Sequence, residues 1–467
     1  CIHQASLEVL EHTGIRVENE TALALYRRVG ARIDGARVFI SWRVVEQALQ
    51  SVPSRVLLAG RDPAQDVILE GKRVYMGTGG APTQFLDPGS DTVRPGTLRD
   101  LRDLARLAEA LEHCDFIVIP LYPTDIPVEV VPVNRFYTCL AHSTKHVMGG
   151  LDSVAGARAV LEMATLVSGS LRALQERPIV SGIVCWMVSP LRLDNAATDI
   201  LLEWCRSGLP VALSAAPMAG LTSPVTLAGT LVQLNAEQLS GIVLTQAARP
   251  GTPVLAGYVP GLANLRSGGY VAGAVECGMM QAAAAQMAHF YRVPIYGSGG
   301  MSDAKIPDAQ AGYEKMATLL LAAMGGCNYI HHAVGMVMNM GAVSLEQAVL
   351  DNEAVGMVKR VLQGIEVGPT SLAIEVIGRA GYRGEFASDS HTVQWMRSET
   401  FQPRLADRQS WSGWLASGGQ DSRARAIAEA QRLLDECRCP GLPLDVDADI
   451  RARLPIVLPR AEEIARL

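Results

Sequence analysis

The sequence predicts an α/β protein: a (β/α)8 barrel of the TIM type with helical extensions at both ends. Three observations predict it. Eight short apolar runs recur through the middle of the chain, most followed by a loop and a helical segment. Proline stands just ahead of several runs, as in "RP" before Ile179, "GLP" before Val211, "GTP" before Val254 and "VP" before Ile295, which is how a helix stop hands over to a strand. Apolar residues make up 49% of the 467 residues and charged ones 19%, with 44 glycines and only 5% aromatics. That balance suits a large α/β core with tight turns and excludes disorder or a coiled coil as the overall class. A barrel of about 250 residues with extensions fits this length.

Residues 1–70 read as a helical cap. Ile2–His12 has apolar residues at helical spacing and stops near Gly14, and Ala22–Val29 and Trp42–Ser51 are two further short helices. The barrel is expected over residues 71–368. Its strands fall at Arg73–Met76, Phe116–Pro120, His146–Gly149, Ile179–Cys185, Val211–Ser214, Val254–Gly257, Ile295–Gly297 and Tyr329–His331. Between them lie helices at Leu98–Leu111, Ala155–Val167, Ala196–Cys205, Thr226–Ala247, Glu276–Phe290 and Gln310–Met324, with Glu346–Leu362 after the last strand. A doubly wound open sheet is the alternative, but it usually shows one dominant glycine-rich dinucleotide loop, and none stands out here. Residues 369–467 form a C-terminal extension: a helix at Leu372–Val376, a polar piece at Arg379–Arg408, and charged helices including Ser422–Asp435 and Ala461–Leu467.

Several function classes are excluded at this level. A net charge of −6 leaves no basic footprint for nucleic acid. Nine cysteines are scattered, and their one close pair, Cys437 and Cys439, is CxC. No disulfide framework or zinc ribbon follows, so a cytoplasmic setting is expected. No HExxH, CxxC or clustered His/Cys spacing suggests a metal site. The uncharged stretches Ser207–Ala236 and Met316–Leu345 are broken by Pro or paired Gly, so neither reads as a membrane span, and no signal peptide is read at the start. The chain opens on Cys1 without Met, and further native residues ahead of it are expected.

In such a barrel the working residues sit at the C-terminal ends of the strands. Gly77–Gly80 and the glycines at 297–300 could cradle phosphate or simply make room for a turn or a ligand. Tyr122, Cys185, Trp186, Tyr258 and Tyr296 close or follow strands, and Trp186 and Tyr258 could instead cap the core. Tyr329 and His331 should point into the barrel, and His332 with Ile330 toward the helices, because side chains alternate on a strand. His331 is either catalytic or a bonded core histidine. Lys305 could form a Schiff base or a loop ion pair. Asp303, Asp308 and Gln310 crowd the loop after the seventh strand, and Asp308 could be only a helix N-cap.

Four segments carry a resemblance: SPVTLAGTLVQLNAEQLSGIVLTQ (223–246), SDAKIPDAQAGYEK (302–315), EQAVLDNEAVGMVKRVLQGIEV (346–367) and SDSHTVQWMRSETFQPRLADR (388–408). With the N-terminal LEVLEHTGIRV they run in the same order as in the trimethylamine methyltransferase (MttB-like) superfamily, which the chain resembles over most of its length. That resemblance implies a TIM barrel that moves a methyl group from a methylated amine to cob(I)alamin on a separate corrinoid protein. The trimethylamine branch carries pyrrolysine. This sequence holds only standard residues and is similar to the larger branch without it, whose characterised members act on glycine betaine, proline betaine and carnitine. The loop HHAVGMVMNMGAVS is unusually Met-rich.

Chemistry favours a quaternary amine under this resemblance. An R–N⁺(CH₃)₃ group already leaves as a neutral amine, so neither zinc nor a general acid is required. The protein has to hold the cation and align one methyl group. Aromatic faces and carboxylates hold such cations. Tyr122, Trp186, Tyr258, Tyr296 and Tyr329 are the aromatic candidates for substrate binding, with Asp303 and Asp308 the acidic ones. A carboxylate tail would want Lys305, Arg266, His331 or His391. Asp308, Gln310, Asp303 and His331 are the candidate catalytic residues. The expected partners are a small quaternary amine, a corrinoid protein and further copies of the chain, with no nucleic acid or membrane and no tightly bound cofactor. A Schiff-base or phosphate-site barrel enzyme using Lys305, and a non-catalytic quaternary-amine binding protein, are the competing readings.

Overall fold

Runs of Val, Ile and Leu bounded by Pro and Gly become strands where both faces can be covered. In the computed structural model, which describes residues 1–460 apart from the side chain of Arg383, eight such strands make one parallel sheet. They are β1 (Tyr75–Thr78), β2 (Ile117–Val118), β3 (Val147–Gly150), β4 (Val180–Val184), β5 (Val211–Ala215), β6 (Val254–Tyr258), β7 (Ile295–Ser298) and β8 (Tyr329–Val334). Neighbours in sequence are neighbours in the sheet from β2 to β8, and β8 pairs with β1. Between β1 and β2 the Thr78 hydroxyl donates to the Val118 carbonyl at 2.7 Å and Asp115 N donates to the Met76 carbonyl at 2.8 Å, so the sheet is a nearly closed barrel.

Eight helices follow the strands: α1 (Leu98–Ala110), α2 (Val131–His142), α3 (Val154–Ser168), α4 (Asn195–Ser207), α5 (Leu227–Ala248), α6 (Val275–Tyr291), α7 (Ala309–Met324) and α8 (Leu345–Gln363). Their starts are set locally. Thr97 and Asp100 make a capping box on α1, and Ser153, Asp194 and Ser344 each accept a backbone N–H of the next helix. The sequence reading omitted α2. Pro132 lies in its first turn, where a missing N–H costs nothing. Residues 131–140 of α2 are all buried, so no polar face betrays the helix. The chain's C-terminal segment covers it: Tyr137 donates to Asp447, and Val457 N donates to Asn134 at 2.8 Å.

The N-terminal cap is only partly helical, which corrects the expectation for residues 1–70. Helices Ile2–Glu8, Glu20–Arg28 and Trp42–Ser51 pack on α5, with Tyr26 donating to the Ser240 carbonyl at 3.0 Å. Residues 56–69 instead form a β-hairpin, Val56–Leu58 against Val67–Leu69. Its alternating Val56, Leu58, Val67 and Leu69 share a buried cluster with Phe116, Met148, Leu255, Tyr296 and Tyr329 of the barrel interior. Ala59 N bonds to the Pro178 carbonyl at 2.9 Å, just ahead of β4. The hairpin therefore plugs the end where the strands begin.

Short hairpins that the sequence did not reveal decorate the other end. Gln84–Leu86 pairs with Val93–Pro95, Met187–Val188 with Arg192–Leu193, Gly261–Ala263 with Tyr270–Val271, and Met336–Val337 with Ala342–Ser344. In the C-terminal extension, helix Ser422–Glu436 packs on α8 and α1. The helix expected at Leu372–Val376 runs from Ile374 to Ala380. The one expected at Ala461–Leu467 lies outside the described residues. No described helix is long and apolar enough to cross a membrane.

Candidate active site at the barrel mouth

Side-chain alternation decides what each strand offers the barrel interior. On β4, Val180 and Val184 face the helices with Trp186, while Ile183 faces inward. On β6, Leu255 faces inward, and Val254, Ala256 and Tyr258 face outward. On β7 and β8, Tyr296 and Tyr329 point in. A column of rings results. Tyr329 stacks on Phe116 at 3.5 Å and on Tyr296 at 5.8 Å, Tyr296 lies 4.0 Å from His331, and His331 lies 3.8 Å from His332.

The two histidines face the same end, contrary to the alternation expected for them. The pairing of β8 with β1 slips between Ile330 and Val334, and His332 has φ +67°. A bulge with a left-handed residue re-aims the second ring. Gly79 permits it, since a Cβ there would lie 2.2 Å from His332 N. The glycines at 77–80 thus serve close approach of backbones rather than a phosphate cradle. His331 Nδ1 is 2.7 Å from the Gly297 carbonyl, so Nδ1 carries the proton and Nε2 is left as an acceptor. His331 Nε2 and His332 Nδ1 each lie 3.4 Å from the Ser298 hydroxyl. Burial pushes His331 down to about 3. His332 is pushed well below the usual value, by burial first and then by His331 and Lys315. Both rings are neutral. The groups that meet at Ser298 are therefore its hydroxyl and two neutral imidazoles, with the Tyr296 ring beside His331.

The loops above the column are pinned by carboxylates and one buried ammonium. Glu314 accepts the Ser302 hydroxyl at 2.7 Å, Asp303 N at 2.8 Å and Gln310 Nε2 at 3.0 Å. Lys315 and Asp351 are both buried and 3.2 Å apart. Lys315 Nζ also donates to the carbonyls of Gly300 at 2.5 Å and Met336 at 2.9 Å, and Asp351 accepts Gly335 N at 2.7 Å and Gln347 Nε2 at 2.8 Å. One pair thus ties the loop after β7 to the loop after β8. That second loop holds Met338, Asn339 and Met340 at φ +57°, +57° and +66°. Each left-handed residue costs about 1–2 kcal/mol. Bonds from Met338 N to Ala304 O at 2.8 Å and from Asn339 N to Ser302 O at 2.9 Å help to offset it.

Comparison with known proteins decides the family. The family model described as trimethylamine methyltransferase (MTTB) matches residues 1–456. The chain belongs to the trimethylamine methyltransferase family. It is 37% identical over 453 residues to the trimethylamine methyltransferase MttB of Desulfitobacterium hafniense (strain DSM 10664 / DCB-2), covering 97% of this chain and 91% of that one. It is 34% identical over 453 residues to the glycine betaine methyltransferase of Desulfitobacterium hafniense (strain Y51), covering 97% and 94%. Among solved structures, the dihydropteroate synthase of Yersinia pestis superposes with a TM-score of 0.35 at 15% identity, covering 66% of this chain and 99% of that one. As a member of the family the chain is a methyltransferase.

In this methyltransferase the residues expected at the site scatter. Tyr296, Tyr329 and His331 are in the column. Two others correct the expectation. Trp186 is fully buried against Gly241 of α5, and Tyr258 is buried with its hydroxyl donating to Asn235 at 2.8 Å. Both lie on the outward face of their strands and are core residues. Tyr122 stands at the rim with its ring 4.8 Å from the Arg135 guanidinium, which pairs with Asp152. Asp303 accepts Ala272 N and Gly273 N and so holds the loop after β6. Lys305 is exposed and donates to the Asp303 carbonyl at 2.6 Å. Arg266 is at an exposed loop tip. His391 packs beside Trp395 in the C-terminal extension. Cys185 is a free, exposed cysteine just beyond the end of β4. Among the described residues no three His, Cys, Asp or Glu side chains gather as metal ligands.

Asp308 caps α7, its carboxylate accepting Ala311 N at 3.0 Å. Asp308→Ala should therefore lower stability by about 1 kcal/mol and leave methyl transfer unchanged. Urea midpoints and single-turnover rates on the same sample check this. A tenfold slower transfer at an unchanged midpoint would return Asp308 to the active site.

Proposed function

We propose that this methyltransferase moves a methyl group from a quaternary, betaine-like amine to cob(I)alamin carried by a separate corrinoid protein. The observation that carries the reading is the uncharged, ring-lined mouth. His331 and His332 are held neutral, so they neither repel a permanent cation nor offer it a proton. A quaternary nitrogen needs none. The C–N bond breaks with its electron pair staying on nitrogen, and the amine leaves neutral. Cob(I)alamin, when docked, supplies the two-electron nucleophile. The donor set of hydroxyl, phenol and neutral imidazoles fits a site that presents a methyl group in line to a visiting nucleophile.

The chain's own residues have three tasks. The stacked rings of Tyr296, His331 and His332 keep the floor of the site uncharged, so a cation above them meets no repulsion. Ser298, with its N–H on Gln281 at 3.0 Å, orients the polar end of the substrate. The Met338–Met340 loop is bonded to the loop after β7 and so holds the two loops together above the rings, where each electrostatic contact strengthens as water leaves. All nine cysteines are free, which supports a reducing, cytoplasmic setting. The Schiff-base reading gains nothing from Lys305, which is exposed and sits on the loop beyond its strand.

Anaerobic assays with chemically reduced cobalamin test the proposal. Glycine betaine, proline betaine or carnitine should bleach the cob(I)alamin absorbance in an enzyme-dependent way, and trimethylamine should not. Turnover of trimethylamine alone would remove the quaternary-amine reading.

A further inference from the structure

Side-chain parity on β3 leaves a gap on the wall opposite the rings. Val147 and Gly149 face outward, and a Cβ on Gly149 would meet Ile119 and Phe136. Met148 faces inward, in one cluster with Tyr296. Strands β3 and β7 stand four apart in the order of the eight, on opposite sides of the barrel. Two residues further toward the mouth come Gly150 on one side and Ser298 on the other, both turned inward by alternation. Cys185 and Ser214 follow the inward Ile183 and Ala212 in the same way. A layer of small residues therefore tops a layer of large ones, and it encloses a chamber. A Cβ on Gly150 would have one heavy atom within 4 Å besides its chain neighbours, Asp152 Oδ1 at 3.9 Å. That carboxylate is aimed from behind. Arg135, in the second turn of α2, donates to Asp152 Oδ2 at 2.6 Å and to the Gly150 carbonyl at 3.2 Å. The Asp152 side chain is 38% exposed against 2% for Arg135, so the negative end of the pair faces the opening.

We infer that Asp152 is the counter-ion of the substrate's quaternary nitrogen and sets the preference of this site for a cation, a reading that rests on the proposed function. The other acids described at the mouth are spent on the fold: Glu314 and Asp303 hold loops, and Asp351 pairs with Lys315. Asp152 Oδ1 has no hydrogen-bond partner among the described residues. Arg135 Nε is also buried without one, which makes the pair a poor device for stability but a good one for fixing a rotamer. A quaternary nitrogen donates no hydrogen bond, so what holds it is Coulomb attraction and shape. The missing side chain of Gly150 supplies the room, and Asp152 supplies the charge, whose pull grows as water leaves the chamber. As the C–N bond breaks, its electron pair returns to nitrogen and the positive charge fades. The carboxylate therefore holds the substrate more tightly than the transition state, and its worth lies in selecting the ligand rather than in speeding the transfer.

The test compares the betaine that the wild type demethylates with its isostere in which carbon replaces the quaternary nitrogen (3,3-dimethylbutanoate for glycine betaine). Calorimetry without any corrinoid partner should show the wild type binding the betaine about tenfold or more tightly than the isostere. Asp152→Asn should weaken the betaine by about tenfold or more and leave the isostere unchanged or tighter. Its single-turnover rate at saturating betaine should hold within about twofold, so that KM rises while kcat does not fall. Asp152→Glu, which keeps the charge, should recover part of the preference. Gly150→Ala leaves the pair with Arg135 untouched. It should melt as the wild type does and weaken both ligands about threefold or more, by narrowing the chamber. A wild type that demethylates the betaine yet binds the isostere equally well overturns this inference and leaves the proposed function standing, whatever the fate of Asp152→Asn as a folded protein. So does an Asp152→Asn variant that loses both ligands alike or neither, because a role in shape alone moves the isostere too. A wild type that binds and demethylates no betaine removes the proposed function and this inference with it.

Discussion

Replacing Lys315 with methionine should cost about 3–5 kcal/mol of stability, because it strands the buried carboxylate of Asp351. Lys315 meets three acceptors, the carbonyls of Gly300 and Met336 and the Asp351 carboxylate, one for each of its N–H groups. Asp351 is already pushed up to about 6, by burial, against the opposing pull of Lys315. Without the ammonium it takes up a proton, which limits the loss but does not abolish it. The double variant Lys315→Met/Asp351→Leu should recover most of the stability, since a packed apolar pair often matches a buried ion pair. Methyl transfer should not recover with it. The mouth loops would still lack their ties at Gly300, Gly335 and Met336, and the rate should stay at least about tenfold down, on the order of 1.4 kcal/mol in the barrier. Urea midpoints and single-turnover rates on both variants read the two effects separately. Full recovery of rate in the double variant would show that the pair serves stability alone.

Acid should unfold this protein earlier than its carboxylates alone would require. His146 is buried between the Ala59 carbonyl and the Ser181 hydroxyl and is pushed down to about 4, while His331 is pushed to about 3 and His332 further still. Each has a folded pKa below its unfolded value near 6.5. Their neutral forms therefore favour the native state above about pH 6.5, and that contribution is lost as pH falls toward the folded values. Below pH 6.5 the unfolded chain takes up protons that the native state refuses. Each such group gives a slope of about 1.4 kcal/mol per pH unit. Asp351 and Glu237, both raised by burial, work the other way because they take up protons more readily when folded. The three fully buried rings outnumber these two carboxylates, Glu237 being also bonded to Ser189 and Leu191 N, and His3, His113, His142 and His289 are lowered in the same direction, which leaves a net loss of at least roughly 2–3 kcal/mol between pH 6.5 and 5.5. Urea midpoints at those two pH values measure it. His146→Gln should flatten the slope by about one group's share, and equal midpoints would mean that the rings are already protonated in the fold.

Eight strands were legible because each is a short apolar run bounded by Pro or Gly, and every one appears within a few residues of its expected place. What the runs did not advertise was parity. Val184 and Trp186 stand two apart, as do Ala256 and Tyr258, so a face assigned to one fixes the other. Choosing the last aromatic of each run overlooked this and put two core side chains at the mouth. His332 was beyond such counting, since its bulge depends on how β1 approaches through Gly79. The hairpin at 56–69 alternates with period two but is short enough to pass as the end of a helical cap. Nothing in GYEK marks Lys315 as buried, because the partner that buries it lies 36 positions on, in another helix. The Met-rich loop did carry a local sign. Asn339 ahead of Met340–Gly341 belongs to the residue types that tolerate left-handed backbone, and three successive residues adopt it.

The hairpin that fills the barrel's base gives the site a single door. Whatever brings the methyl group and whatever takes it away must use the same opening, and a bulky acceptor seated there shuts out everything else. Traffic is then compulsory in its order. Under the proposed function the small molecule enters first, the acceptor follows, and the demethylated amine waits inside until the acceptor has gone. Kinetics should show this as a sequential mechanism in which excess acceptor inhibits, by corking a vessel that is still empty or has not yet been emptied.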